Sequence, residues 1–310
     1  MRAVFLGTPE FAVPSLAAAH RETELVAVLT QPDRPKGRGR QIAAPPVAEH
    51  ARALGLRVLQ PARLKDPAVI GALRELRPDI VITVAYGKII PREMLDLPPL
   101  GCINVHPSLL PKYRGASPIQ AAIVAGESET GVTIMYQTAE LDAGDIILQH
   151  RVPIDDDDTA ATLEAKLARA GAEVLVDALA LIARGAAPRI SQDPTQANYV
   201  GKLTKEHGRI EWAKPALDLA RLIRAMDPWP SAYTWRRGKL LKIWKARPTN
   251  ATGEPGVVRE VRRGGGFVVG TGTGALLVLD VQPEGGRRMT ADEYARGYRL
   301  EVGERFGEHV

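Results

Sequence analysis

Through its first two hundred residues this chain trades short continuous apolar runs for longer helix-like stretches and back again, an alternation that few folds can accommodate. Ala3–Leu6, Leu25–Thr30, Arg57–Leu59, Ile80–Ala85 and Ile103–His106 have strand length, and IVITVA at 80–85 shows no polar-apolar alternation. Strands apolar on both faces belong in a parallel sheet covered by helices on each side. Phe11–Ala19, Val47–Leu54, Pro67–Leu76 and Arg92–Leu95 can supply that cover. The pattern predicts a doubly wound, mostly parallel, Rossmann-like α/β domain. Two further strand runs, Val132–Gln137 and Ile146–Val152, precede a long helix from Ala160 to about Arg184 that closes it. The glycine after the first strand stands in GTPEFA rather than GxGxxG, so a pyrophosphate site there is not expected. Gly7 should serve only a tight exit from the strand.

The style then changes. Residues from about Arg189 to Thr204 are polar with little periodicity and read as a linker. Beyond them one helical stretch, Ala216–Ala225, ends at Pro228-Trp229-Pro230. Short strand candidates follow at Tyr233–Arg236, Leu240–Lys245, Gly256–Val261, Gly266–Val269 and Leu276–Val281, with a short helix near Ala291–Ala295. Close spacing and Gly-rich turns indicate a small OB-like β-barrel. The expected division is 1–188, a linker at 189–205, and 206–310.

Charge follows the same division. Residues 206–310 carry 18 Lys and Arg against 13 Asp and Glu, while the first 205 balance at 23 of each. The whole excess of +5 therefore lies in the last third, as expected if that part meets an anionic partner. One cysteine excludes an internal disulfide and a Cys-cluster metal site. No apolar run nears the roughly 18 residues of a membrane span, and MRAVFLGTPE lacks a cleavable apolar stretch. A cytoplasmic protein is expected.

The chemistry concentrates in GCINVHPSLLPKYRG, Gly101–Gly115. Asn104 and His106 lie two apart, so a strand presents both on one face, near the carboxyl end of the sheet where open α/β folds bind ligands. AELDAGDI, Ala139–Ile146, adds Asp142 and Asp145 beside a turn glycine, although either could be an ordinary turn aspartate. Asn, His and Asp together make a donor, an acid/base and an anionic orienter, a set suited to attack on a carbonyl with an oxyanion to stabilise. Cys102 shares parity with Asn104 and His106, but nothing there lowers a thiol pKa, and a buried structural cysteine is the better reading.

Two basic segments invite phosphate. QPDRPKGRGR, Gln31–Arg40, carries Arg34, Lys36, Arg38 and Arg40 against Asp33, with prolines and glycines opposing regular structure. Arg236, Arg237, Lys239, Lys242, Lys245 and Arg247 fall within twelve residues without an acid, interleaved with Trp235 and Trp244. A small basic barrel with aromatics suits nucleic acid, against the alternatives of solvated surface and core tryptophans.

GTPEFA, TQPDRPKGRGR, AYGKIIP, INVHPSLLPKYRGASPIQ, GVTIMYQTAELDAGDI and PWPSAYT together resemble the methionyl-tRNA formyltransferase family, in order and over essentially the whole chain. Ser117 stands where that family often has Ala. The resemblance implies transfer of the formyl group of 10-formyltetrahydrofolate, a co-substrate, to the α-amino group of methionine on initiator methionyl-tRNA. It implies that Asn104 and His106 stabilise the oxyanion and that Asp142 orients His106 and takes the amine proton. It also implies that Ser108, Leu109, Leu110 and Pro111 bind folate, that Arg38 nears the tRNA acceptor end, and that no metal or protein partner is needed, so a monomer is expected. The competing readings are a formyltransferase acting on a sugar or nucleotide amine and a tRNA-binding protein without catalysis.

Overall fold

The seven strand-like runs of the first two hundred residues form the strands of one sheet. In chain order the computed structural model, which describes residues 1–36 and 41–307, contains β1 (Arg2–Gly7), α1 (Val13–Glu22), β2 (Glu24–Leu29), β3 (Arg34–Lys36), β4 (Gln41–Ala43), α2 (Pro46–Ala53), β5 (Val58–Leu59), α3 (Pro67–Leu76) and β6 (Ile80–Val84). Then follow α4 (Arg92–Leu95), β7 (Cys102–His106), β8 (Arg114–Gly115), α5 (Pro118–Ala125), β9 (Glu129–Tyr136), β10 (Ile146–Pro153), α6 (Ala160–Ala183) and β11 (Tyr199–Val200). The sheet order is β10-β9-β7-β6-β1-β2-β5. Five strands run parallel, and β9 and β10 add antiparallel at one edge.

The two-sided burial that the sequence implied is present. Val4, Phe5 and Leu6 of β1 and Ile80, Ile82 and Val84 of β6 are fully buried, each such side chain contributing about 1.5–3 kcal/mol. Local signals set the helix ends: Asp66 Oδ1 accepts the Ala68 N–H at 2.9 Å, Pro67 opens α3, and Arg77 ends it in the left-handed region. Register then matters most for function. It pairs Thr83 with Asn104 and His106 with Thr133, so each pair shares a face of the sheet.

Three local expectations change. Gly7 is required by packing rather than by a turn, because a Cβ there would lie 2.7 Å from Phe5 Cε1 and 2.9 Å from Ala12 Cβ. The flanks of the basic insert are regular: Arg34, Pro35 and Lys36 pair antiparallel with Ala43, Ile42 and Gln41. A proline fits such a two-stranded ribbon, where its missing N–H can face away from the partner. Arg38 and Arg40 lie outside the described residues. Residues 189–200, expected as linker, are built into the fold instead. Ile190 exchanges two backbone hydrogen bonds with Ile146, at 2.8 and 3.0 Å, and β11 pairs with β8.

The chain divides into two compact units, Met1–Pro118 with Glu129–Pro153 and Glu164–Val200, and Ile119–Ser128 with Ile154–Leu163 and Gly201–Val310. The second unit holds α7 (Ala216–Ala225), β12 (Ala232–Arg236), β13 (Lys239–Thr249), β14 (Val258–Arg262), β15 (Gly266–Gly270), β16 (Ala275–Pro283), β17 (Met289–Thr290) and α8 (Ala291–Gly297). Its sheet is antiparallel, in the order β12-β13-β16-β15-β14, with β17 on β16. The tail ties both ends of that path. Val258 N donates to Glu304 O at 2.8 Å, and Gly307 N donates to Trp235 O at 2.9 Å. Phe267, Phe306, Tyr294 and Trp212 fill the core, and the Trp212 indole donates to Thr234 Oγ1 at 3.0 Å. No helix among the described residues is long and apolar enough to cross a membrane.

Candidate active site

Asn104 and His106 leave β7 on the same face, and each is fixed by a different neighbour. Thr83, in register on β6, has one hydroxyl hydrogen and two acceptors at 2.9 Å, Asn104 Oδ1 and the Ile103 carbonyl. The amide oxygen faces that hydroxyl, and no acceptor among the described residues takes the two Nδ2 hydrogens. His106 is buried, and its Nε2 lies 3.0 Å from the Tyr113 carbonyl. A carbonyl only accepts, so Nε2 carries the hydrogen and a neutral ring has its lone pair on Nδ1. Burial pushes the His106 pKa down, opposed by the Asp142 carboxylate and the Tyr113 carbonyl. The ring is therefore neutral at neutral pH.

Asp142 arrives from the turn between β9 and β10. It adopts a left-handed conformation, φ 49°, which aspartate tolerates better than most residues. Gly144 lets this turn fold back, because a Cβ would collide with the Tyr136 carbonyl. The Gly115 N–H donates to Asp142 Oδ2 at 2.9 Å, and the same oxygen stands 3.7 Å from His106 Nδ1. That separation is too long for a hydrogen bond. A buried acceptor and a partly buried one thus face each other, and a group donating protons to both from beside them would satisfy both.

One hydroxyl makes three of the hydrogen bonds that hold the Ser108–Pro111 loop. Thr133 Oγ1 donates to Ser108 O at 2.6 Å and accepts the Leu110 N–H at 3.1 Å and Gln149 Nε2 at 2.9 Å, which uses its full hydrogen-bonding capacity. Gln149 also donates to Leu110 O at 2.8 Å, and Ser108 Oγ donates to Lys112 O at 2.7 Å. The Leu110–Pro111 bond is cis. Ser108 and Leu110 are buried while Leu109 and Pro111 are half-buried, so the loop offers an apolar edge beside His106.

Cys102 takes no part. Its thiol is buried against the Met94 and Leu95 carbonyls, and burial first, then Asp96, pushes its pKa up to about 12.

The basic cluster of the second unit splits by burial. Arg237, Lys239 and Lys245 are exposed and Lys242 is half-buried. Trp244 lies between Lys242 Nζ at 5.5 Å and the Arg288 guanidinium at 5.2 Å from its ring centre. Arg236 departs from the expectation of a surface phosphate contact. It shares parity with buried Ala232 and Thr234, is 6% exposed, and makes hydrogen bonds of 2.9 and 2.8 Å to the two Glu304 carboxylate oxygens. A guanidinium already paired and desolvated has no donors to offer a phosphate.

Several residues that shape this site are not apparent from the sequence. Thr83 and Thr133 are hydroxyls inside apolar strands, a signal that could have flagged them, but only the register puts them beside Asn104 and His106. Arg114, Gln192 and Asn198 carried no comparable signal. The Asn198 side-chain oxygen accepts the Tyr113 N–H, and Gln192 Nε2 donates to Asp142 O at 2.9 Å and Gly144 O at 2.8 Å.

A doubly wound sheet with Asn, His and Asp gathered beyond the carboxyl end of an inner strand is suited to acyl transfer, and the comparisons with known proteins give the family. Residues 1–179 match the family model described as formyl transferase, and residues 202–299 match that of the formyl transferase C-terminal domain; the chain belongs to the formyl transferase family. It is 50% identical to the methionyl-tRNA formyltransferase of Moorella thermoacetica over 99% of both chains. It is 47% identical to the methionyl-tRNA formyltransferase of Acetivibrio thermocellus, covering 99% of this chain and all of that one. In fold it is similar to HypX from Aquifex aeolicus, solved in complex with tetrahydrofolic acid, with a TM-score of 0.64 at 20% identity over 98% of this chain. This chain spans 48% of that longer protein.

Proposed function

We propose that this protein transfers the formyl group of 10-formyltetrahydrofolate to the α-amino group of methionine on initiator methionyl-tRNA. The observation that carries the chemistry is the separation of roles across one sheet edge: unclaimed amide hydrogens on Asn104, and facing acceptors on His106 Nδ1 and Asp142 Oδ2. A carbonyl attacked by an amine needs a donor for its oxygen and an acceptor for the amine proton.

The neutral amine attacks the formyl carbon, and Asn104 Nδ2 donates to the developing oxyanion. Because His106 gives its hydrogen to Tyr113, its neutral form has none for the oxyanion. This changes the role implied by the resemblance. His106 Nδ1 takes the proton from the attacking amine, and Asp142 stabilises the resulting imidazolium. The protonated ring then returns that proton to the folate nitrogen as its bond to the formyl carbon breaks. Atoms and charge balance without a metal.

The Ser108–Pro111 loop suits the folate because its backbone is braced from behind by Thr133 and Gln149, leaving Leu109 and Pro111 partly exposed as an apolar edge. Lys36, Arg38 and Arg40 of the insert, with Arg237, Lys239, Lys242 and Lys245, are assigned to the tRNA phosphates. Initiator tRNA as acceptor is supported by relatives of that name at 47–50% identity over the full length, and by a basic excess that an amino sugar would not require. One chain carries Asn104, His106 and Asp142, so a monomer suffices, and such a reaction belongs in the cytoplasm. The test is single-turnover transfer of labelled formyl from 10-formyltetrahydrofolate to charged initiator tRNA and, in parallel, to nucleotide-linked amino sugars. Transfer only to an amino sugar would establish the sugar alternative, and tRNA binding without any transfer would establish the non-catalytic one.

A further inference from the structure

We propose that Gln192, in the stretch that reads as a linker, is a positioning residue for the catalytic carboxylate of Asp142. The inference rests on the reading that His106 and Asp142 manage the amine proton.

The amide of Gln192 has only one consistent orientation. Arg114 Nε and Nη2 reach its Oε1 at 3.1 and 2.7 Å, and a guanidinium can only donate, so the amide oxygen must face Arg114. The Nε2 hydrogens are left for the carbonyls of Asp142 and Gly144, at 2.9 and 2.8 Å. These two bonds close over the turn that holds Asp142 at φ 49°, a conformation that the residue's own preferences do not secure. Arg114 is itself 5% exposed and donates through Nη1 to the Tyr199 hydroxyl at 3.1 Å.

Arg114 also sits between Tyr113, whose carbonyl takes the His106 hydrogen, and Gly115, whose N–H holds the Asp142 carboxylate. The Arg114–Gln192 contact therefore joins the loop that orients His106 to the turn that presents Asp142. Its base is firm, since Ile190 is bonded to Ile146 on one side and Asn198 O accepts the Arg114 N–H at 3.0 Å on the other. A proton-bearing group within hydrogen-bond reach of both Nδ1 and Oδ2 must sit beside this pair, so their separation of 3.7 Å fixes where it can bind. A misplacement of the order of 1 Å in such a geometry can cost about 10²-fold in rate.

The experiment compares Gln192→Glu and Gln192→Ala with His106→Ala in the full chain. Gln192→Glu keeps an acceptor for Arg114 but sets oxygen against the Asp142 and Gly144 carbonyls; Gln192→Ala removes every bond. Turnover is expressed per folate-binding site, titrated on the same samples, and KM is measured for folate donor and for tRNA. Both Gln192 variants are expected to lose about 10–100-fold in kcat per site while each KM stays within about threefold. A loss smaller than about fivefold in a folded variant, or one carried by KM or by the number of folate sites, overturns the proposal. If Gln192→Ala does not fold, Gln192→Glu decides alone. Wild-type turnover in His106→Ala would instead remove the underlying reading, whatever the Gln192 variants do.

Discussion

His106 and Asp142 stand 3.7 Å apart, close enough for the carboxylate to act on the ring and too far to share a hydrogen. Because burial holds the imidazole below its ordinary value of 6.5, the ring is neutral and its Nδ1 lone pair faces the carboxylate. The acid limb that belongs to His106 should therefore lie below pH 6.5, beneath the limb from protonation of the attacking amine, whose ordinary pKa is about 7.7–8.0. Asp142→Asn removes the charge that raises this pKa, so the acid limb should move to still lower pH. The rate should fall by about 10²–10⁴. Single-turnover rates across pH read both, and an acid limb that moves up in Asp142→Asn would contradict the assignment.

Asn104→Ala should lower kcat by about 10²–10³, the loss usual for one oxyanion donor, with little change in folate KM. Thr83→Val frees the amide to rotate without removing it, and an intermediate loss is expected. Equal loss in the two variants would mean that Asn104 acts through its orientation alone.

Thr133→Val keeps the shape of the side chain and removes a hydroxyl that serves three partners. The Leu110 N–H and a Gln149 hydrogen would lose their acceptor, and Ser108 O its donor, at about 1–3 kcal/mol for each group left buried and unpaired. Urea denaturation should show that loss, and folate KM should rise as the Ser108–Pro111 loop loosens. Unchanged folate KM in the folded variant would separate this loop from folate binding.

Arg236 and the exposed lysines should respond in opposite assays. Arg236→Ala leaves a half-buried Glu304 short of its main partner, with Arg237 still beside it, and thermal stability should fall. Burial works to raise the Glu304 pKa, yet hydrogen bonds and charge from Arg236, with the Glu301 N–H and Arg237, hold it below 4.5 in the fold. The stability it contributes is thus present above pH 4.5 and lost as pH falls through the folded value. Replacing Lys239, Lys242 and Lys245 together should leave thermal stability near wild type. It should lower tRNA affinity and reduce the salt slope by about 0.7–0.9 for each phosphate no longer neutralised. An unchanged slope would make those lysines solvated surface.

Cys102→Ser should keep most of the activity, because the Sγ is already beside the Met94 and Leu95 carbonyls, to which a hydroxyl can donate. With its pKa pushed up to about 12, the buried thiol should resist alkylation in the native protein at pH 8 and react once the chain is unfolded. Complete loss of transfer in a folded Ser variant would bring back a thiol mechanism.

The parallel sheet is written in the chain's own pattern, since strands such as IVITV are stable only when both faces are covered. Period two also put Asn104 and His106 on one face, and an unmistakable run of motifs carried the family. Contacts between groups distant along the chain were not legible in the same way. Arg236 reads as one more surface cation until Glu304, 68 residues away, meets it inside the fold. The proton on His106 depends on a Tyr113 carbonyl whose position Asn198 helps to fix, and the Asp142 turn depends on Gln192. Polar side chains in an aperiodic stretch leave no pattern to read, because their role is to satisfy particular backbone groups. Those groups come within hydrogen-bond reach only once the chain has folded.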